Sequence, residues 1–453
     1  MDRQFSLCTK FLIGASMVSL AMSLPTVFGQ SFEPSLNLTS VTHGANCQSI
    51  KVSGNNVYVA WSDHTIGAGD ILFRRSVDGG ANFGITQDLS ASAGHAACPK
   101  IAVTGNNVYV VWNEASDSGT FDVFFRKSDN GGQTFSSVKN ISHNSGDSSF
   151  PSIASLGMRV YVAWDDDTLP GDFMTFFTRS RDSGTSFGGV KNLVNPPIEE
   201  ALNAQVAVSG HTVYVVWTGN AGDLNQVYMR VSTDGGNNFG STKNLSNSKT
   251  DSGRASLKAS GNNVYVAWQS EVQVGNEDII FRKSTNKGST FDSPANISNN
   301  PSRSLDPIIT NSGNTVYIVW TDGPDPNSDI LFRRSVNKGA TFDPLKNLSN
   351  NLGRSFEPFL TKDGNNVQVS WQDTSFGNDE ILIRSSTDLG KNFNPAVDVS
   401  NSMSKSVLPK AAGANGIVYL TWIEQTPNSD DLLFTKSTTL SAQGKGDIVL
   451  PLS

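Results

Sequence analysis

Eight tryptophans recur along the chain at near-constant spacing: Trp61, Trp112, Trp164, Trp217, Trp268, Trp320, Trp371 and Trp422. The intervals are 51, 52, 53, 51, 52, 51 and 51 residues, and no other tryptophan occurs in the 453 residues. A fixed period of this size constrains the fold more than any other feature. Each repeat is one supersecondary unit that cannot bury its apolar face alone, so neighbouring repeats must stack. Each tryptophan ends a segment of β-branched and aromatic residues, as in Asn107-Val108-Tyr109-Val110-Val111-Trp112. That is the pattern of a strand, and helical periodicity appears in no repeat.

Each unit divides into four strands, here called A to D. In the second unit, Pro99–Val103 reads as strand A and Asn107–Trp112 as strand B, joined at Gly105-Asn106, a pair that tolerates positive φ. Val123–Lys127 reads as strand C and Val138–Ser142 as strand D. Strand D carries Asn-Leu-Ser or a variant: Asn140-Ile141-Ser142, Asn244-Leu245-Ser246, Asn296-Ile297-Ser298 and Asn347-Leu348-Ser349. A similar copy, Asn37-Leu38-Thr39, precedes the first unit, and none follows the last strand C, Leu432–Lys436. A ring accounts for both ends, because the N-terminal strand then completes the last unit and removes the open sheet edges. The expected fold is all-β: an eight-bladed β-propeller of four-stranded blades, closed by the N-terminal strand, with seven blades as the alternative.

The turn after strand C repeats as Ser76-x-Asp78-x-Gly80-x-x-Phe83, Ser180-x-Asp182-x-Gly184-x-x-Phe187, Ser232-x-Asp234-x-Gly236-x-x-Phe239 and Ser386-x-Asp388-x-Gly390-x-x-Phe393. Three further copies carry Asn130, Asn286 and Asn337 in place of the aspartate. This resembles the Asp-box, or BNR, repeat of sialidase-like propellers. A short acceptor side chain, a glycine free to take positive φ and an aromatic plug suit a tight turn. The resemblance implies boxes on the face away from any active site, hence a structural role.

The same resemblance raises the question of sialidase chemistry. The family uses a tyrosine nucleophile with a glutamate partner, an aspartate acid/base and three arginines that clamp the substrate carboxylate. Seven of the eight tyrosines here stand three residues before a repeat tryptophan, and Tyr228 falls in the strand C column with Leu72, Phe124 and Ile280. No loop tyrosine is left as a nucleophile, and the family's Arg-Ile-Pro signature is absent.

Composition places the chain among soluble globular proteins, with 37% hydrophobic and 17% charged residues. A net charge of -7 argues against a nucleic-acid partner. Arg3 and Lys10 precede an apolar run from Phe11 to Leu24, the pattern of a secretory signal cut after Gly29. The expected organisation is a signal peptide at 1–29, a single propeller domain at 30–440 and a C-terminal tail at 441–453. No stable membrane span is expected after cleavage, and the mature chain is expected to be secreted or at the cell surface. Cys47 and Cys98 each lie fourteen residues before a tryptophan and so hold equivalent places in neighbouring blades. A disulfide, free thiols, or a transition-metal site with His43, His64 and His95 all fit that placement.

Chemistry is expected on the face formed by the variable D-to-A and B-to-C loops. Two residues after the tryptophans stand Asp63, Glu114, Asp166, Asp322, Asp373 and Glu424. Repeated acids suit framework hydrogen bonds, calcium coordination or a glycosidase carboxylate pair. Fourteen residues before the tryptophans the column reads Cys47, Cys98, Phe150, Asn203, Arg254, Asp306, Glu357 and Leu408, which does not repeat. With Arg303, Arg354 and Lys405 from nearby loops, Arg254 suggests a basic arc for carboxylate or phosphate, or a rim neutralised locally by acids such as Asp306 and Glu357. No obligatory cofactor is indicated. The reading is an extracellular binding propeller for glycan, peptide or protein. The alternative is a glycoside hydrolase of sialidase-like fold with a non-standard site.

Overall fold

The computed structural model describes residues 30–39, 44–65, 69–90, 94–115, 119–168 and 173–438. The expected signal peptide, the tail from 441 onward and His43 lie outside the described residues. There are eight four-stranded antiparallel sheets. No helix occurs among the described residues, so none is long and apolar enough to cross a membrane.

Blade 1 runs from Ala45–Ser53 (A) through Asn56–Asp63 (B) and Asp70–Ser76 (C) to Gln87–Asp88 (D). In blade 8 the order is Lys405–Ala414, Ile417–Gln425, Asp430–Lys436 and then Leu36–Asn37 from the other end of the chain. Leu36 pairs with Phe434 and Asn37 with Leu433. Eight blades closed one-plus-three are therefore what the chain forms.

Strand D differs from the expectation. It pairs over only two residues, Lys139–Asn140 in blade 2, because the serine of Asn-Leu-Ser takes over from the backbone. Ser142 Oγ accepts from Val123 N (2.9 Å), and Ser246, Ser298 and Ser349 act alike on Val227, Ile279 and Ile330. At the closure Thr39 Oγ1 accepts from Leu432 N in the same way. The middle residue of the motif is buried, as at Leu245 and Leu348.

The cores lie between blades. Side chains alternate across a strand, so a tyrosine three positions before a tryptophan faces the opposite neighbour. Tyr161 of blade 3 therefore shares a core with Trp217 of blade 4, and Tyr419 of blade 8 shares one with Trp61 of blade 1. All eight tryptophans are fully buried. The turns after strand C join blades from below. Gly236 (φ 80°) lies flat on the Phe177 ring of the preceding blade, where a Cβ would sit 2.9 Å from the ring. Ser232 Oγ donates to Asp234 Oδ1, which also accepts from the amides of Asn237 and Asn238. Asn130 Oδ1 holds its own turn with the same set of bonds.

Candidate functional site

Strand A of every blade carries one extra residue relative to strand B, as between Asn46 and Ser49 in blade 1. Such a bulge re-aims a side chain and bends the strand. The residue it turns out is the one fourteen positions before the tryptophan. Cys47, Cys98, Phe150, Asn203, Arg254, Asp306, Glu357 and Leu408 all have φ between 47° and 60°. In blades 3, 4, 5 and 7 the residue after the tryptophan holds the next blade's bulge: Asp306 N donates to Gln269 Oε1 (3.1 Å), Arg254 N to Thr218 Oγ1 (3.1 Å) and Leu408 N to Gln372 Oε1 (3.5 Å). Asp165 takes two such bonds, from Asn203 N and Ala204 N. Burial pushes its carboxyl up to about 7 against the pull of those amides.

Cys47 and Cys98 form a disulfide between the bulges of blades 1 and 2, with Cα atoms 5.0 Å apart. With both sulfurs in the bridge neither is a thiolate, which removes the cysteines from the metal-site alternative. His64 and His95 stack on each other at 5.0 Å between ring centroids. Among the described residues no group of three or more His, Cys, Asp or Glu is placed to hold a metal ion.

The acid column is framework. Each tryptophan followed two residues later by an acid donates its indole N–H to that acid: Trp61 to Asp63 (3.3 Å), Trp112 to Glu114 (2.6 Å) and Trp164 to Asp166 (2.9 Å). Trp320 donates to Asp322 (3.3 Å), Trp371 to Asp373 (2.8 Å) and Trp422 to Glu424 (3.3 Å). A strand A serine joins in blades 3, 6, 7 and 8, as Ser148 does on Asp166. Five of these carboxylates are buried and Glu424 half-buried. They sit one per blade and anchor indoles and loops, the framework role among those expected of repeated acids.

The basic arc is neutralised. Arg254 pairs with Asp306 at 2.7 Å, Arg303 with Glu277 at 2.6 Å and Arg354 with Asp325 at 3.0 Å. Arg354 also lies over the Phe356 ring. Two of these carboxylates lie outside the columns read from sequence: Glu277 near the start of strand C of blade 5 and Asp325 in the B-to-C loop of blade 6. Lys405 and Glu357 are exposed.

Inside the ring of bulges the channel opens into a cavity of about 680 Å³, entered past Cys47, Cys98, Phe150 and Asn203. Its walls carry Lys51, Lys100, Lys258 and Lys410 together with Ser49, Ser152 and Gln205. No carboxylate and no tyrosine is among the described residues that line it. Lys51, Lys100 and Lys258 are open to the channel and Lys410 partly so. Enclosure by the channel walls, with Lys258 alongside, lowers Lys51 to about 8. The same enclosure, with Lys410 and Lys51 alongside, lowers Lys100 to about 8. Lys258 and Lys410 are lowered by it too, Glu357 opposing at Lys410. These lysines were missed from sequence. The available signal was Lys100 and Lys410 at a position where blades 1, 3, 4 and 5 carry serine or glutamine, and Lys51 and Lys258 at one where the other repeats carry alanine or threonine.

No protein-family model matches the sequence, and no curated protein matches it significantly. Among solved structures, a polysaccharide lyase of family PL25, an ulvan lyase bound to -[GlcA(1-4)Rha3S]-, aligns over 88% of this chain and 95% of its own, at 8% identity and TM-score 0.55. A GH93 α-L-arabinofuranosidase of Fusarium graminearum aligns over 63% of this chain and 92% of its own, at 12% identity and TM-score 0.41. A Trypanosoma rangeli sialidase aligns over 87% of this chain and 55% of its own, at 12% identity and TM-score 0.39. The first alignment establishes a shared propeller fold, and the other two add nothing to that assignment.

Proposed function

We propose that this chain is a secreted or surface-exposed, non-catalytic propeller that binds a glycan at the mouth of its central channel. The observation that carries the reading is the cavity inside the ring of bulges: it measures about 680 Å³, and its walls offer lysine, serine and glutamine donors without a carboxylate or tyrosine. Concave sites with a few converging polar groups are where small ligands bind. A glycosidase requires two carboxylates within about 10 Å of each other. The acids of this face are instead engaged by indoles, serines and amides. The fold is shared with a lyase that binds an anionic polysaccharide, which favours glycans as the first class to screen.

The test is a glycan-array screen of residues 30–453, followed by calorimetry with any hit and with Asn203→Ala and Phe150→Ala. Binding that weakens in these mouth variants, without release of products, is the expected result. Turnover of a sialoside or other glycoside above a heat-killed control would overturn it.

A further inference from the structure

We infer that the upper channel is a site for a small polyvalent oxyanion, one carrying two or more carboxylate, sulfate or phosphate groups, held by Lys51, Lys100, Lys258 and Lys410. The inference rests on the same open cavity as the reading above and places a charged subsite beneath the mouth.

Four ammonium groups from blades 1, 2, 5 and 8 converge on one cavity. None of them pairs with a described carboxylate. Lys410 instead lies against the Phe359 ring, with Nζ 5.4 Å from its centroid. Like charges confined in a low-dielectric passage focus a field that attracts anions, here within a protein of net charge -7. Lys51 and Lys100 are open to the channel, and the repulsion each feels from neighbouring lysines is a cost that a bound anion would offset.

The lysines do not serve the scaffold. At the position twelve residues before the tryptophan, Ser49, Ser152, Gln205 and Ser256 accept from the next inner strand, at Ile101 N, Val206 N, Leu257 N and Ile309 N. Lys100 and Lys410 occupy this same position in blades 2 and 8, and an ammonium has no acceptor to offer. Lys51 and Lys258 stand two residues further along their strands, one tier deeper. Two residues of strand rise about 7 Å. The site therefore suits anionic groups separated by about that distance, one at each tier.

The experiment is titration calorimetry of residues 30–453 at low salt with tripolyphosphate, a disulfated disaccharide and citrate. At least one is expected to bind one-to-one with Kd below about 1 mM, and the ranking of the three identifies phosphate, sulfate or carboxylate as the preferred group. The double variant Lys100→Met/Lys258→Met is expected to weaken that binding at least about tenfold while the free protein melts no lower, because repulsion has been removed. Lys51→Met/Lys410→Met is the second variant and must show the same loss. Absence of binding by all three anions, or binding unchanged in both double variants, overturns the inference. A glycan that binds both double variants as it binds the unaltered chain would leave the mouth as a binding site and eliminate only the channel subsite.

Discussion

The indole of Trp371 donates to Asp373 at 2.8 Å inside a fully buried corner of blade 7. Six blades repeat this bond. The two that lack it carry Gly219 or Ser270 in place of the acid, and their indoles, Trp217 and Trp268, have no partner. The acid of the column thus answers the indole of its own blade.

Replacing Asp373 with alanine would strand Trp371, Ser355 and Asn351 together. Loss of a buried partner costs roughly 1–3 kcal/mol. Chemical denaturation should show a loss in that range with ligand binding unchanged. Ser270→Asp, which supplies Trp268 with an acceptor, should move stability the other way.

The strand C turns give a pair of opposite expectations. Asp234→Asn should be tolerated, since Asn130 makes the same turn. Gly236→Ala should not be, because its φ of 80° and the Phe177 ring leave no place for a Cβ. A side chain forced into that region costs on the order of 1–3 kcal/mol. Comparable melting of the two variants would contradict the assignment.

Asp165 predicts a pH dependence. Its carboxyl titrates near 7 when folded, above the ordinary 3.8. Below the ordinary value both states hold the proton. Between the two values the unfolded chain has released its proton and the folded chain has not, so stability falls as pH rises from about 4 to 7, by up to about 1.4 kcal/mol per unit. Above 7 the loss is complete and constant. Asp165→Asn should flatten this part of a denaturation-versus-pH curve, and an unchanged slope would assign it to other groups.

Reducing the Cys47–Cys98 bond opens a span of 51 residues. A bridge of that kind contributes typically 2–4 kcal/mol. The reduced protein should melt earlier and stay folded, because the remaining interblade cores are untouched. Deleting residues 31–40 is a harsher change, since it exposes strand C of blade 8 along the length where Leu36 and Asn37 pair. Loss of cooperative melting or aggregation is expected, and an unchanged transition would mean that the closure is dispensable.

The ring was legible because one large residue type marks one position in every repeat, and because Asn37-Leu38-Thr39 is a strand D without its blade. The role of the acids was also within reach: positions two apart share a face of a strand, so Asp373 and Trp371 had to meet. The local neutralisation of the basic arc was legible only in part: Arg254 pairs with Asp306 of its own column, whereas Arg303 and Arg354 find Glu277, near the start of a strand C, and Asp325, in a loop, which the columns compared did not include. The channel lysines were passed over for another reason. Lys51 and Lys100 lie in different columns, and only closure of the ring converts an exposed strand face into a shared interior.

The bulges have one more consequence. Glycine takes a left-handed conformation without steric cost, yet none of the eight mouth positions is a glycine. The backbone there is fixed by the blade and its bulge, and at Asn203, Arg254, Asp306 and Leu408 also by a hydrogen bond from its amide to the neighbouring blade, while the side chain is left free to be cysteine, phenylalanine, asparagine, arginine or leucine. Adjacent positions are near enough to bridge, as Cys47 does with Cys98 and Arg254 with Asp306. The mouth is a palisade of exchangeable posts, each of which can be rewritten without moving its neighbours, so the specificity of such a ring can drift one blade at a time while its architecture stands still.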